Sequence, residues 1–398
     1  MFKRIYLDNA ATTPVDPEVV EAMMPFLTEK YGNASSIHYF GQETRSAVDK
    51  ARQKVASLVN GRPTETIFTS GGTEANNLAI RGLIEAQRKP NGHQPHIITS
   101  VIEHPSVLNV CEDLEKRGIR VTYLPVYENG VVRVSDVEEA ISDDTVLISV
   151  MAANNEIGTL QPVAEIGKVV KALRGEGRKI WFHVDAVQAA GKIPLDVEEI
   201  GCDLMSVSAH KIYAPKGVGS LFIRRGTRLH QQNLGGRQER GIRGGTESVP
   251  LIVAFGKAAE LAEARLKDDG RRLGELRDAL EDRVFERIEE AFLNGDRETR
   301  LQNISNISFS GVEGEALLIN LDMQGIAVST GSACSSGSLE PSPIIRALGR
   351  NEDLARSAIR FSLGRENSID DIDRLLEVLP ASIEGLRRLS PENTRLKR

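Results

Sequence analysis

Residues 205–219 read MSVSAHKIYAPKGVG, a short apolar run that leads one lysine, Lys211, into a turn. A buried strand over residues 204–207 is predicted before this lysine, and Pro215 and Gly217 after it require the backbone to turn. Burial and the neighbouring His210 would both disfavour the ammonium form, which frees the amine for a Schiff base. A lone lysine more often simply closes a loop. The interpretation therefore depends on what the rest of the chain brings beside it.

The composition is that of a large globular protein. The chain has 398 residues, 40% hydrophobic and 27% charged, with a formal net charge of -6. This length predicts two domains, and the acidic balance argues against direct nucleic-acid or membrane-surface binding. No apolar run reaches the length of a membrane span, and the N-terminus does not resemble a signal peptide. Three widely spaced cysteines, Cys111, Cys202 and Cys334, indicate neither a disulfide framework nor a metal site. We expect a cytoplasmic enzyme.

The order of predicted elements indicates an α/β fold. Strands are predicted over residues 66–69, 96–99, 120–124, 145–150, 180–184 and 204–207, and helices over residues 73–87, 106–116 and 163–173. Such alternation is typical of βαβ units and a mainly parallel sheet, in which ligands bind at the carboxyl ends of the strands.

The remainder of the chain predicts a second, smaller α+β domain. A long helix from residue 254 to about residue 291 would link it to the larger one. We expect residues 1–15 to form an extended segment that packs with the small domain. Residues 16–260 would form the large domain and residues 261–398 the small domain, with Cys334 on a mobile loop.

Glycines and a hydroxyl follow the predicted strand at residues 66–69. Residues 69–76 read TSGGTEAN, so a glycine turn leads directly into a helix. Free backbone N–H groups at Gly72, the helix dipole and the Thr73 hydroxyl would together bind a phosphate. An ordinary glycine turn with a helix cap would look the same.

Three further polar features lie at predicted strand ends. Asp185 ends an apolar strand, where its carboxylate could pair with a protonated ring nitrogen or cap a helix, and Gln188 could donate to a ring hydroxyl. His104 could stack on a planar cofactor or move protons, although a lone histidine there is usually structural. Asn155 belongs to a polar turn after residue 150. Together with Lys211, these features indicate pyridoxal phosphate (PLP) as the cofactor.

These residues resemble the class V aminotransferase superfamily of fold-type I enzymes, and within it the cysteine desulfurases. The resemblance runs almost end to end, from residues 6–14 (YLDNAATTP) to residues 360–364 (RFSLG). It implies a large PLP-binding domain with a mainly parallel seven-stranded sheet and a smaller α+β domain. The cofactor site that it implies consists of Gly72, Thr73, His104, Asn155, Asp185, Gln188, Ser208, His210, Lys211 and Thr246.

The resemblance also implies a role for each residue. Lys211 would carry the cofactor, Asp185 would pair with the ring nitrogen, and His104 would stack on the ring. Of the other cofactor residues, Gln188 and Asn155 would lie near the ring oxygen, while Thr73, Ser208 and His210 would bind the phosphate. Thr246 would reach the phosphate of a partner subunit, which implies a homodimer with shared sites. Arg360 would bind the substrate carboxylate, together with Asn155.

One cysteine decides the reaction that the resemblance implies. Cys334 lies among small residues in the stretch STGSACSSGS, residues 329–338, unlike a core cysteine surrounded by large apolar side chains. A thiol on a mobile loop can enter a site and leave with cargo. In the family this cysteine attacks the substrate sulfur, which implies L-cysteine as substrate and L-alanine and a Cys334 persulfide as products. The length of this loop resembles the iron–sulfur-cluster and nitrogen-fixation group.

Several alternatives stay open from the sequence. A selenocysteine lyase or a transaminase would share the fold, and an inactive sulfur-relay subunit would share much of the sequence. The acceptor could be an iron–sulfur scaffold, with Cys334 as a transient cluster ligand, or a tRNA- or cofactor-thiolation pathway. Three arginines in residues 235–243 favour phosphate or interface contacts over direct nucleic-acid binding.

Overall fold

The computed structural model describes residues 4–87, 95–331 and 341–389. The strands are β1 (Ile5–Tyr6), β2 (Thr66–Thr69), β3 (His96–Ser100), β4 (Arg120–Leu124), β5 (Thr145–Met151), β6 (Trp181–Asp185), β7 (Leu204–Ser208), β8 (Gly219–Ile223), β9 (Ala291–Leu293), β10 (Ile304–Phe309), β11 (Ile326–Ala327) and β12 (Ala358–Ser362). The helices are α1 (Pro17–Met23), α2 (Pro25–Thr28), α3 (Tyr39–Ser57), α4 (Gly72–Gln87), α5 (Pro105–Lys116), α6 (Val134–Ala140), α7 (Val163–Gly175), α8 (Val197–Ile200), α9 (Val249–Arg287), α10 (Gly314–Met323), α11 (Pro343–Ala347), α12 (Glu352–Arg356) and α13 (Ile369–Leu389).

A seven-stranded sheet in the order β2-β8-β7-β6-β5-β3-β4 forms the centre of the molecule. Strands β4, β3, β5, β6 and β7 pair in parallel, whereas β8 runs antiparallel to both β7 and β2. The reversal of β8 follows from its short connection to β7, because parallel neighbours need a longer crossover. The predicted α/β fold with a mainly parallel seven-stranded sheet is confirmed.

The register of the sheet aligns the strand ends that matter for function. Met151 at the end of β5 lies opposite Asp185, and Asp185 lies opposite Ser206 of β7. Helix α4 starts at Gly72 just beyond β2, and helix α5 starts just beyond His104, which is its N-cap. Side chains from three strands and two helix N-termini therefore meet at one edge of the sheet.

A second apolar core surrounds the three-stranded antiparallel sheet β12-β10-β9. It joins the C-terminal half of α9 with α10 and α13, and also includes Ile5 and Leu7. Strand β1 pairs in parallel with β11. These contacts agree with an N-terminal segment packed on a smaller body, although the domain boundaries stay a prediction. Within the described ranges, no helix is long and apolar enough to cross a membrane.

The N-terminal segment is less extended than predicted. Strand β1 covers two residues only, and the chain then turns, with the Ala11 N–H donating to Asp8 O at 3.0 Å. The Thr13 N–H donates to His210 O at 3.1 Å. The turn places the backbone of residues 10–13 against the Lys211 turn, while the Ala10 N–H still donates to Ser362 Oγ of β12 at 2.9 Å.

Candidate active site

A cavity of about 240 Å³ lies at the carboxyl ends of β5, β6 and β7. Its lining includes nine of the residues predicted from the sequence: Gly72, Thr73, His104, Asn155, Asp185, Gln188, Ser208, His210 and Lys211. These residues come from separate stretches of the chain, and only the sheet register brings them together. Most of the predicted cofactor site is therefore a single cavity.

Lys211 ends a 3-10 turn that directly follows β7. Its Nζ donates to the carbonyl oxygens of Ala10 and Ala11, the latter at 2.8 Å. Because Tyr213 has a φ of 67°, the chain reverses immediately after the lysine. The Tyr213 N–H donates to Thr13 Oγ1 at 2.8 Å, which fixes the reversal to the N-terminal segment. The lysine amine is therefore held at the cavity by the backbone of the N-terminal segment.

The Asp185 carboxylate is only 4% exposed and has donors on both oxygens. Val187 N–H donates to Oδ1 at 3.0 Å, and Asn76 Nδ2 donates to Oδ2 at 2.6 Å. Asn76 also donates to Ser106 Oγ at 2.8 Å. A carboxylate held by donors in this way keeps one orientation toward the cavity.

His104 is fixed in orientation and tautomer by the first turn of α5. The Ser106 N–H donates to His104 Nδ1 at 3.1 Å, so Nδ1 is the acceptor nitrogen and a neutral ring carries its proton on Nε2. Burial lowers the pKa of His104, the Asp185 carboxylate opposes this, and the charge on Lys211 adds to the lowering. We expect a neutral imidazole, suited to stacking on a planar ring.

A second buried carboxyl, Glu103, lies beside this network. Its Oε1 accepts hydrogen bonds from Met151 N–H and Ser100 Oγ, both at 2.9 Å. Its Oε2 has no hydrogen-bond partner among the described residues. Burial, helped by the neighbouring Asp185 charge and opposed by those two hydrogen bonds, raises the pKa of Glu103 to about 8. Glu103 is therefore mainly neutral at pH 7.

The start of α4 is packed so closely that it requires glycine. A Cβ on Gly72 would lie 2.8 Å from Val187 Cγ2 and 3.4 Å from Ser208 Cβ. Thr73 and His210 line the same cavity. Burial, together with the charges on Lys211, Lys216 and Lys192, lowers the pKa of His210 to about 4. A neutral His210 can still donate a hydrogen bond to an anion at the helix N-terminus.

Two predicted site residues lie outside this cavity, and a third lies outside the described residues. Arg360 is buried beside the cavity and donates to Asn155 O at 2.8 Å and to Asp8 Oδ1 at 2.7 Å. Thr246 is exposed on the surface. Cys334 lies outside the described residues. The other two cysteines, Cys111 and Cys202, are fully buried, and burial raises the pKa of both thiols, that of Cys111 to about 12.

Sequence reasoning missed the residues that orient the predicted ones. Asn76 ends the stretch TSGGTEAN without a predicted role, Ser106 has none either, and the carbonyls of Ala10 and Ala11 carry no side-chain signal. A polar residue on the buried face of α4, four positions after Gly72, was the signal that could have identified Asn76.

A buried histidine beneath the site makes a testable contribution to acid stability. His183 is 0% exposed and bridges Ser149 Oγ at 2.8 Å and Ser206 Oγ at 3.0 Å. Burial lowers the pKa of His183 to about 4, despite the Asp185 charge. The pKa of His183 in the folded protein lies below its value of about 6.5 in the unfolded chain. Its contribution to the free energy of unfolding is therefore complete above pH 6.5 and is lost as the pH falls toward 4.

We therefore expect the free energy of unfolding to fall less between pH 6.5 and pH 4 in His183→Gln than in the parent, by roughly 3 kcal/mol. Urea unfolding of the cofactor-free protein between pH 4 and pH 7 measures it, with the exposed His230→Gln as control. Equal slopes for His183→Gln and the parent would contradict the prediction.

Fold and site together define an enzyme of the fold-type I PLP class. The family model for class V aminotransferases matches residues 5–375. A cysteine desulfurase IscS of Dictyoglomus turgidum is 50% identical over 391 residues, 98% of this chain and 97% of that protein. A solved NifS-like protein has a TM-score of 0.89 at 37% identity, covering 96% of this chain and 100% of that one. SspA, solved in complex with cysteine, has a TM-score of 0.79 at 35% identity, covering 91% and 99%. The chain belongs to the class V aminotransferase family, in its cysteine desulfurase group.

The cofactor of this family is PLP, and the cavity fits it. Gly72 and Thr73 line the cavity at the N-terminus of α4, where a phosphate can bind, and the Asp185 carboxylate is aligned by two donors. Asn155 Oδ1 is buried and has no hydrogen-bond partner within the described ranges. An unpaired buried acceptor lining a cavity is expected where a ligand completes the hydrogen bonding.

Proposed function

We propose that this cysteine desulfurase converts L-cysteine to L-alanine, stores the sulfur as a persulfide on Cys334 and delivers it to an acceptor. The observation that carries the proposal is that the Lys211 amine and the Asp185 carboxylate line one cavity. A nucleophilic amine, a fixed carboxylate and a helix N-terminus that can bind a phosphate are the three features that PLP chemistry requires of a protein.

The chain's own residues have distinct roles in this proposal. Bound PLP supplies an electron sink for the negative charge that develops at the substrate α-carbon. Lys211 would hold the cofactor, and its Nζ would take the α-proton. Asp185 would keep a proton on the ring nitrogen, and the neutral His104 would stack on the ring. The phosphate would be bound by the N-terminus of α4 with Thr73, Ser208 and His210.

Two remaining cofactor contacts follow from side-chain placement. Gln188 Nε2 donates to Ala10 O at 2.9 Å, and Gln188 Oε1 accepts from Lys192 at 3.1 Å. Lys192 holds the amide oxygen and Ala10 O accepts one N–H, which leaves the second N–H of this cavity-lining residue as a donor. Gln188 and Asn155 would then contact the ring oxygen.

Arg360 would bind the substrate carboxylate. Its guanidinium lies next to Asn155, with one arm on the Asn155 carbonyl and the other on Asp8. Its Nε is buried and has no hydrogen-bond partner among the described residues. A planar guanidinium with donors available on one edge suits bidentate carboxylate binding. Exchange of Asp8 for the substrate carboxylate would keep the charge paired.

Cys334 would carry out the sulfur step. Its thiolate attacks the substrate Sγ, an S–S bond forms, and the Cβ–Sγ bond breaks with its electron pair going to the substrate carbon. The carbon takes up a proton and the product leaves as L-alanine. Cys111 and Cys202 are unsuited to this step because their burial and raised pKa values leave almost no thiolate.

A homodimer with shared sites is part of the proposal. Thr246 is exposed, as a residue that serves a partner's site would be. Ile37 is 91% exposed and Tyr39 72% exposed, next to Phe40, which stacks on Tyr31 at a ring-centroid distance of 5.8 Å. A cluster of exposed aromatic and apolar side chains is typical of an interface. Sedimentation of the holoenzyme as a monomer would contradict this part.

The identity of the acceptor follows from the resemblance alone. We propose an iron–sulfur scaffold as acceptor, with Cys334 as a transient cluster ligand, and thiolation of tRNA as a further use of the sulfur. We also propose a cytoplasmic location and domain boundaries after residues 15 and 260. Incubation of persulfide-loaded enzyme with a purified scaffold protein tests the transfer, and retention of all sulfur on Cys334 would contradict it.

The reaction itself is tested by adding L-cysteine to PLP-loaded protein and measuring alanine and sulfide together in the presence of a thiol reductant. We expect the two products in equal amounts. Alanine from L-selenocysteine only would support a selenocysteine lyase, and amino-group transfer to a keto acid without sulfide would support a transaminase. Either result would overturn the proposed function.

A further inference from the structure

The Glu156 carboxylate meets both described ends of the stretch that contains Cys334. Glu156 is 5% exposed. On one side, Ser342 Oγ donates to Glu156 Oε2 at 2.7 Å. On the other side, a Cβ built on Gly331 would lie 2.6 Å from the same oxygen. Residues 331 and 342 therefore converge on a single oxygen atom.

The Gly331 end requires glycine for two separate reasons. Its φ of 79° lies in the left-handed region, which disfavours any side chain. A Cβ would also approach Glu156 Cδ at 2.9 Å. The Gly331 N–H donates to Ser329 Oγ at 3.1 Å, and Ser329 pairs through its backbone with Arg360. This end is therefore packed closely onto the carboxylate.

The Ser342 end is held by the start of helix α11. Ser342 is the N-cap of the helix, and its Oγ accepts a hydrogen bond from the Ile345 N–H at 3.4 Å. With a lone pair used by the helix, the hydroxyl proton is directed to Glu156. Ser342 is 2% exposed, so water does not compete for this bond. The carboxylate thus fixes the beginning of α11.

Glu156 is itself rigidly tied to the cavity. Its N–H donates to Asn154 Oδ1 at 2.8 Å, and its carbonyl accepts from Asn306 Nδ2 at 3.2 Å. One peptide bond away, Asn155 lines the cavity and accepts from Arg360. Because the backbone of Glu156 is fixed relative to the cavity, its side chain can fix the groups that it contacts relative to the cavity as well.

We propose that Glu156 is a positioning residue for the sulfur-transfer step. It holds Gly331 and Ser342, and so both ends of the stretch that contains Cys334, in register with the cavity wall at Asn155. This role rests on the proposed function, in which Cys334 accepts the sulfur. Glu156 is not a lining residue of the cavity, so its removal should leave cofactor and substrate binding intact.

The test compares Glu156→Ala with the parent in two assays. In the cofactor-free protein, the rate of Cys334 alkylation by iodoacetamide is followed by mass spectrometry of the Cys334 peptide. In the holoenzyme, rapid mixing with L-cysteine separates the absorbance change of substrate binding from the alanine burst. We expect an altered alkylation rate, unchanged half-saturation by cysteine, and a burst slowed by about 10- to 100-fold, since small misplacements of reacting groups cost that much.

Two further variants make the result specific. Glu156→Gln keeps an oxygen that can accept from Ser342, and we expect it to restore most of the burst rate. Glu128→Ala removes an exposed acid and should behave as the parent. Ser342→Ala should slow the alanine burst less than Glu156→Ala does, because it removes only the donor of the Ser342–Glu156 hydrogen bond.

The proposal is overturned if Glu156→Ala alkylates and transfers sulfur at the parent's rates. It is also overturned if cofactor and cysteine binding weaken in parallel with the burst, since that result indicates general damage to the fold. A parent enzyme that forms no alanine would instead refute the proposed function. In that case the alkylation rates of the cofactor-free proteins still decide whether Glu156 positions Cys334.

Discussion

Cys334→Ser is expected to leave a protein that binds PLP with the parent's spectrum and yet forms no alanine from L-cysteine. The serine hydroxyl is of similar size but is not ionised near neutral pH, so it cannot take up the substrate sulfur as a thiolate can. We expect turnover to fall by about three orders of magnitude or more, because loss of an enzyme nucleophile can lower kcat by about six orders of magnitude. Alanine release in the stopped reaction measures this.

The buried cysteines supply the matched control. Cys111→Ala and Cys202→Ala remove thiols that are fully buried, and we expect near-parental turnover from each after correction for stability. Normal alanine production by Cys334→Ser would exclude Cys334 as the sulfur acceptor. Loss of turnover in Cys111→Ala with the fold intact would indicate that Cys111, and not Cys334, accepts the sulfur.

Asp185→Asn is expected to give the second largest loss. The carboxylate accepts from Val187 N–H and from Asn76 Nδ2 at the same time, whereas an asparagine has only one acceptor oxygen. Whichever way the amide turns, one donor faces another donor, and the negative charge toward the ring nitrogen is gone. We expect kcat to fall by about a hundredfold or more, the size seen when one preorganised electrostatic group is removed.

Glu103→Gln is the matched control for this substitution. Glu103 is a buried neighbour of Asp185, but its raised pKa makes it mainly neutral at pH 7, so an uncharged replacement changes little. We expect a loss in kcat far smaller than that of Asp185→Asn when both are measured at pH 7. Equal losses in the two variants would mean that burial and packing, and not the Asp185 charge, explain the effect.

The strand-end residues could be predicted from sequence because their signals are local. Lys211 and Asp185 each follow a short apolar run and precede a turn, and this pattern places them at the carboxyl edge of a parallel sheet. Strand β8 was not predicted, because the three-residue apolar run at residues 221–223 is too short to assign by periodicity. Helix α9 begins five residues before its predicted start, at a proline in its first turn that the prediction overlooked.

The supporting network could not be predicted because its contacts are long-range. Asn76 and Asp185 are separated by 109 residues and meet only through the pairing order of the sheet. The carbonyls of Ala10 and Ala11 hold Lys211 from 200 residues away, and a backbone carbonyl carries no residue-type signal. No role for Glu156 could be predicted either, since its partners Gly331 and Ser342 are distant in sequence.

The transfer of sulfur from L-cysteine to Cys334 can be measured directly by following one labelled sulfur atom. PLP-loaded enzyme is mixed with less than one equivalent of isotopically labelled L-cysteine, quenched after a single turnover and digested without reductant. Mass spectrometry then locates the label among the peptides that contain Cys111, Cys202 and Cys334. We predict one labelled sulfur atom on Cys334, matched by one alanine released, and none on the other two cysteines. Alanine release without label on Cys334, or label on a buried cysteine, would contradict the proposed function.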